Sequence, residues 1–141
     1  MPVSVDWLLE AHIVDYKMIA VVNSADMLAV TEDVMGMLSG YRQHTVHVLY
    51  DVSQCARIPY DIPNIIKALK PFLMLPNMGW GIAYGSKDPV TKFTAELIVQ
   101  LIKVRYRDFK NREEALAYLA QIEPSLKRLE GFQKLQGSVN R

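Results

Sequence analysis

Thr45-Val46-His47-Val48-Leu49-Tyr50-Asp51-Val52 is the stretch on which the reading of the chain turns. It is a nearly continuous apolar run of strand length. A strand that is apolar on both sides has no face for water, so it belongs in the middle of a sheet with helices packed over it. The chain has 141 residues, 50% of them hydrophobic and 22% charged. That is the size and composition of one globular domain with one sheet and its own core.

Upstream of that strand, Val5–Glu10 and Ile13–Val22 are rich in β-branched and aromatic residues and lie close together, which predicts an antiparallel pair. Asn23-Ser24 then offers a helix cap. Met27, Leu28, Thr31, Val34, Met35 and Leu38 follow at three- and four-residue spacing, predicting an amphipathic helix that ends near Gly40. Downstream, a loop with Pro59 leads to a helix whose apolar face carries Ile62, Ile65, Ile66 and Leu69, and Pro71 is expected to end or kink it. Pro76-Asn77-Met78-Gly79 reads as a turn and Trp80–Tyr84 as a short strand.

Asp88-Pro89 is a helix start, a capping carboxylate followed by proline at the first helical position. In the helix that follows, Val90, Phe93, Leu97, Ile98 and Leu101 form the expected buried stripe. Lys92, Glu96, Gln100 and Lys103 mark its wet side, while Val99 and Ile102 either widen the stripe or make a dimer contact. Val104–Phe109 alternates like an edge strand. Asn111 caps a helix through Leu119 with carboxylates in its first turn, and Ser125–Leu135 predicts a last short helix before a frayed tail, Gln136 to Arg141. The expected organisation is an α/β domain over residues 5–122 in the order β-β-α-β-α-β-α-β-α, with a C-terminal helix and tail over 123–141. The sheet is mixed and its helices pack mainly on one side.

The charge is uneven. Residues 1–61 hold 3 Lys/Arg against 8 Asp/Glu, and residues 62–141 hold 13 against 7, for a net charge of only +1 over the whole chain. A balance so near zero argues against a general nucleic-acid binder, which needs a concentrated basic surface. The asymmetry fits either two unlike faces of one domain or association through complementary faces. Cys55 is the single cysteine, so no intrachain disulfide forms and a cytoplasmic, reducing setting is expected. The first residues carry Asp6 and Glu10 where a secretory leader is basic and then apolar. No apolar run approaches the roughly 18 residues needed to span a bilayer.

Three segments carry a family resemblance. His47-Val48-Leu49-Tyr50-Asp51-Val52-Ser53, Gly79-Trp80-Gly81-Ile82-Ala83-Tyr84 and Phe109-Lys110-Asn111-Arg112-Glu113-Glu114-Ala115-Leu116-Ala117-Tyr118-Leu119 resemble a central strand ending in aspartate, the next strand, and the closing capped helix of the STAS domain. More closely they resemble the uncharacterised SpoIIAA-like branch of the STAS/SEC14-type fold. The resemblance implies a binding or regulatory module. Regulated STAS domains carry an Asp-Ser or Asp-Thr pair, phosphorylated on its hydroxyl, at the start of the helix after the central strand. Here that pair would fall near Pro59 and Tyr60, so a phosphorylation cycle is not expected at that place. Ser53, in the same loop, is the candidate substitute; otherwise its hydroxyl satisfies the turn.

Catalytic and metal chemistry is sparse. His12, His44 and His47 lack metal-ligand spacing, and His44 and His47 point to opposite faces of their strand. Cys55 has Arg57 nearby to lower its pKa but no partner base, so it and Asp51 are the only catalytic candidates. Gly79, Gly81 and Gly85 miss the dinucleotide fingerprint by one residue. Gly85-Ser86-Lys87 precedes a helix N-terminus, but Asp88 repels an anion there and Pro89 removes a donor.

The leading expectation is therefore a non-catalytic STAS-like regulatory module that binds an unknown protein partner, as a homodimer, without cofactor, metal or nucleic acid. The alternative is a small-ligand or lipid-binding protein of the SEC14-like type, with Trp80, Tyr60 and Tyr84 as candidate pocket aromatics. Asp51, Ser53, Tyr60 and Trp80 are the candidate partner or ligand site. Arg105 and Arg107 are candidate contacts for an acidic partner or an anionic lipid headgroup.

Overall fold

A computed structural model describes residues 2–139. β1 (Val3–Leu9) and β2 (Ile13–Val21) form the antiparallel hairpin, and β2 then runs parallel to β3 (Val46–Arg57). β4 (Met78–Tyr84) and β5 (Tyr106–Phe109) extend the parallel part, giving one mixed sheet in the order β1-β2-β3-β4-β5. The helices are α1 (Ser24–Ser39), α2 (Ile62–Leu73), α3 (Pro89–Ile102), α4 (Arg112–Ile122) and α5 (Glu130–Val139), with a 3₁₀ turn at Pro124–Arg128. The predicted order of elements is the one observed. β3 is central, and its residues 46–52 are all buried, as a strand covered on both faces requires.

Because successive side chains of a strand point to opposite faces, the sheet builds two cores. Val14, Tyr16 and Met18 of β2 with Val48, Tyr50 and Val52 of β3 face α1 and α2. Ile13, Leu49, Ile82 and Tyr84 face α4, together with Leu126 and Phe132. The stretch expected as one helix from Ser125 to Leu135 divides into the 3₁₀ turn and α5. The second helix runs past Leu135 to Val139, and residues 140–141 of the expected tail lie outside the described residues.

α1 is closed by a capping box. The Asn23 side chain accepts from the Asp26 N–H at 2.9 Å, and the Asn23 N–H donates to Asp26 Oδ2 at 3.0 Å. It buries Met27, Val30, Thr31, Val34 and Leu38, whereas Leu28 points outward. α2 runs two residues beyond Pro71, which sits in its last turn.

The larger correction concerns α3. It buries Thr91, Thr94 and Ile98, while Val90, Phe93 and Leu101 of the expected core stripe are 51%, 54% and 58% exposed. A buried tether at Thr91 sets this rotation, with an exposed ion pair beside it. The Thr91 hydroxyl accepts the Ile58 N–H at 3.0 Å and donates to Asp88 Oδ2 at 2.7 Å, and Lys92 Nζ meets Asp108 Oδ2 of β5 at 3.3 Å. With Thr91 held inward, the residues on its side of the helix face the sheet, and the larger apolar side chains turn to solvent.

Candidate functional site

The inward face of α3 is short of volume. Opposite it on the sheet stand Gly81 and Ala83 of β4, and on the helix stand Thr94 and Ala95. Layers of sheet and helix are filled by side chains that bridge the gap between them, and small residues facing small residues leave the gap open. α3 rests against α2, and between the two helices and the sheet lies a cavity of about 90 Å³. Its walls are almost wholly apolar, with Leu69 and Leu73 from α2, Ile98, Val99 and Ile102 from α3, and Tyr50 from β3. Cavities of this kind and scale stay dry or accept apolar molecules.

Polar residues also line this cavity, among them Ser86, Thr91, Lys92, Thr94, Arg105 and Asp108. Ser86, in the segment between β4 and α3, lines it, and its Oγ is buried without a hydrogen-bond partner. Lys92 lines it from the first turn of α3. Arg105 lines it next to Tyr106, with Nη2 donating to the Met78 carbonyl at 3.1 Å. Burial pushes the Tyr106 hydroxyl pKa up, so that hydroxyl stays neutral at ordinary pH.

A second, polar cluster lies on the α4 side of the sheet. Lys17, Asp51 and Tyr84 are side by side in register across β2, β3 and β4. Asp51 is only 7% exposed, and its Oδ1 accepts both the Ser53 N–H at 3.0 Å and the Ser53 hydroxyl at 2.6 Å. Burial first, and the adjacent Asp51 second, push the Tyr84 pKa up. Burial likewise raises that of Asp15, with Lys17 opposing and Asp51 adding. Arg112, at the start of α4, has its Nε buried without a partner. Gly85, at φ 85°, brings the backbone so close that a Cβ there would meet Ser53 at 2.8 Å, and an L side chain is excluded.

A third group pins α4 to the other end of the sheet. His47 Nδ1 accepts the Trp80 N–H at 3.0 Å, so Nε2 carries the proton and donates it to Glu123 Oε1 at 3.0 Å. Burial holds the His47 pKa below its ordinary value, although Glu123 opposes the shift. The rings of His12 and His44 stack at 4.8 Å. Among the described residues no three metal-ligating side chains come together.

The residues singled out from sequence do not converge. Asp51 and Ser53 touch each other, but Ser53 lies within β3 rather than in a loop. Tyr60 sits between β3 and α2, 62% exposed. Trp80, four residues along β4 from Tyr84, meets Tyr118 edge-on at 5.5 Å. Arg107 lies over the rings of Tyr118 and Phe109 at 5.0 and 5.8 Å, while Arg105 borders the cavity. Sequence reasoning missed Ser86, Thr91 and Thr94 as parts of a cavity. The available signal was α3 itself, which has more apolar positions than one buried face can use.

No family model and no curated protein matches the chain. Among solved structures it is similar to an uncharacterised protein of the DUF3478 family with a SpoIIAA-like fold from Shewanella loihica PV-4. The TM-score is 0.60 at 11% identity, over 83% of this chain and 91% of the other. With the element order and mixed sheet described above, this likeness gives the chain a SpoIIAA-like α/β fold.

Proposed function

We propose that the protein is a non-catalytic binding module whose ligand is a small, mainly apolar molecule held between α3, α2 and the sheet. The observation that carries this reading is the apolar cavity beneath a helix that turns Val90, Phe93 and Leu101 away from it. A helix placed only to complete a core would point Val90, Phe93 and Leu101 inward, since each buried side chain of that kind contributes about 1.5–3 kcal/mol. The reading sets the small-ligand expectation ahead of the partner-binding one.

The absence of catalysis is supported by how the reactive groups are used. Asp51 is occupied by Ser53, and His47 by Trp80 and Glu123. Cys55 is buried, and burial pushes its thiol pKa up, away from the reactive thiolate. A free, buried thiol is in keeping with a cytoplasmic setting. No helix among the described residues is long and apolar enough to cross a membrane.

A second reading, a regulatory module that docks a protein partner or a second copy, is favoured by the outward stripe of Val90, Phe93 and Leu101. Exposed apolar residues aligned on one helix are a usual docking feature. Native mass spectrometry on gently purified protein, set against the same sample denatured, separates the two readings. Added small-molecule mass that is lost on denaturation supports the ligand reading. Bare protein at dimer mass, unchanged by delipidation, contradicts it and favours the docking reading.

A further inference from the structure

Val90, Phe93 and Leu101 belong neither to the core nor to the cavity wall, and helix geometry says where they lie. Lys92 is on the flank of α3 that reaches β5, through Asp108. At about 3.6 residues per turn, Val90, Leu97 and Leu101 fall on the opposite flank, toward α2. α2 packs on α1 along one side, where the Ala68 carbonyl accepts the Thr31 hydroxyl at 2.6 Å, and meets α3 on the other. Ile66 and Leu73, both half-buried, fall on that second side. An apolar groove thus runs between α2 and α3, with Phe93 on its outer lip.

Positive charge borders the groove. From Ile62 to Lys103 the chain carries five lysines against Asp88 and Glu96, a net of +3. Lys67, Lys70, Lys87 and Lys103 are exposed, and among the described residues none of them has a carboxylate within ion-pair distance. Asp88 accepts the Thr91 hydroxyl at 2.7 Å, and Glu96 is the one acid within the two helices. Strand order in the sheet is chain order, so the acids of residues 3–39, six against Lys17, gather toward the β1 edge.

Val90, Phe93, Leu97 and Leu101 recur at every turn over about 16 Å of α3. A flat membrane surface meets only the outermost of them, Phe93, whereas a helix laid along the groove meets all four. Grooves of this kind take the apolar face of an amphipathic helix through positions i, i+3 or i+4, and i+7. The bordering lysines select acidic residues on the flanks of that helix.

We infer that the groove between α2 and α3 docks an acidic amphipathic helix of another protein. Its apolar residues rest on Phe93, Leu97 and Leu101, and its carboxylates meet Lys67, Lys70 and Lys103. This specifies the partner for the docking reading above and needs no ligand in the cavity.

The test is display of a random peptide library to the purified full chain, followed by titration with the most enriched peptide. Enrichment of peptides rich in Asp and Glu, with apolar residues at the helical spacing, is the expected result. Phe93→Ala should weaken the enriched peptide at least tenfold, as loss of an aromatic anchor does, while the thermal melt stays unchanged. Lys67→Glu with Lys70→Glu should weaken it as well, and so should added salt. Peptides with the apolar spacing but no acidic bias, still lost in Phe93→Ala, overturn the acidic partner and keep the docking reading. No enrichment, or enrichment unmoved by Phe93→Ala, overturns both. Sedimentation with phosphatidylserine vesicles, or dimerisation of the free chain, abolished in either case by Phe93→Ala, puts a membrane or a second copy on the groove and overturns the assignment.

Discussion

α3 and α4 lie on opposite faces of the same sheet, and they use their residues in opposite ways. α4 is a modest helix, Arg-Glu-Glu-Ala-Leu-Ala-Tyr-Leu-Ala-Gln-Ile, yet it buries Ala115, Leu116, Leu119 and Ala120 against a full core. α3 is richer in large apolar residues, yet it buries two threonines and Ile98 and leaves a cavity behind them. Burial is decided by what ties a helix down. α4 is fixed by its Asn111 cap, by Glu123 on His47 and by the apolar plug of Leu126 and Phe132. α3 is fixed by a buried polar tether, Thr91 on Ile58, with the exposed Lys92–Asp108 pair beside it, and this tether holds it in a rotation that apolar packing alone would not choose.

The contrast is broken or sharpened most strongly at Leu119. Leu119→Ala removes a fully buried side chain from the α4 core and should cost about 2–5 kcal/mol in a denaturant melt. A much smaller loss would mean that the α4 face is as loosely filled as the α3 face. Next in size is Thr91→Val, which keeps the shape but leaves the buried Ile58 N–H without its acceptor. It should cost about 1–3 kcal/mol and increase hydrogen exchange at the start of α3, while exchange in α4 stays unchanged.

A smaller effect is expected from acid. Burial holds His47 below its ordinary pKa of 6.5, so the unfolded chain takes up its proton first as pH falls. The contribution of neutral His47 is thus present above that ordinary value and is lost as pH falls through the lower native one. His47→Asn, which does not titrate, should lose less Tm between pH 7.5 and 5 than the wild type. It should still lose some, because burial also holds His12 low. Equal losses would remove His47 from the account. The smallest effect is reserved for α3's outer stripe. Phe93→Ala is expected to change stability by no more than about 0.5 kcal/mol, and a loss near that of Leu119→Ala would show that the stripe is covered.

The central strand was legible because its run of apolar residues is local, and so were the caps at Asn23 and Asn111, whose partners lie three residues away. The rotation of α3 was not legible. Periodicity finds an apolar stripe through Val90, Phe93, Leu97, Ile98 and Leu101, of which Ile98 is buried as expected, but the tether that aims the rest elsewhere joins residues 33 positions apart in Thr91–Ile58. The same holds for the candidate site. Asp51 and Ser53 are near neighbours in sequence and remain together. The cavity arises where Gly81 and Ala83 face Thr94 and Ala95, a coincidence of small residues that only the packed layers bring about. Tyr60, exposed between β3 and α2, and Trp80, within β4 against Tyr118, are expected in one pocket but lie apart in the packed structure.

The most direct test of the central claim is methyl-detected NMR during titration with xenon, an apolar atom small enough for the space of about 90 Å³ beneath α3. Shifts concentrated at Ala83, Ile98, Val99 and Leu73, with Leu116 and Leu119 unmoved, are the predicted result. Shifts spread evenly over both faces, or none at saturating probe, would contradict a ligand cavity under α3.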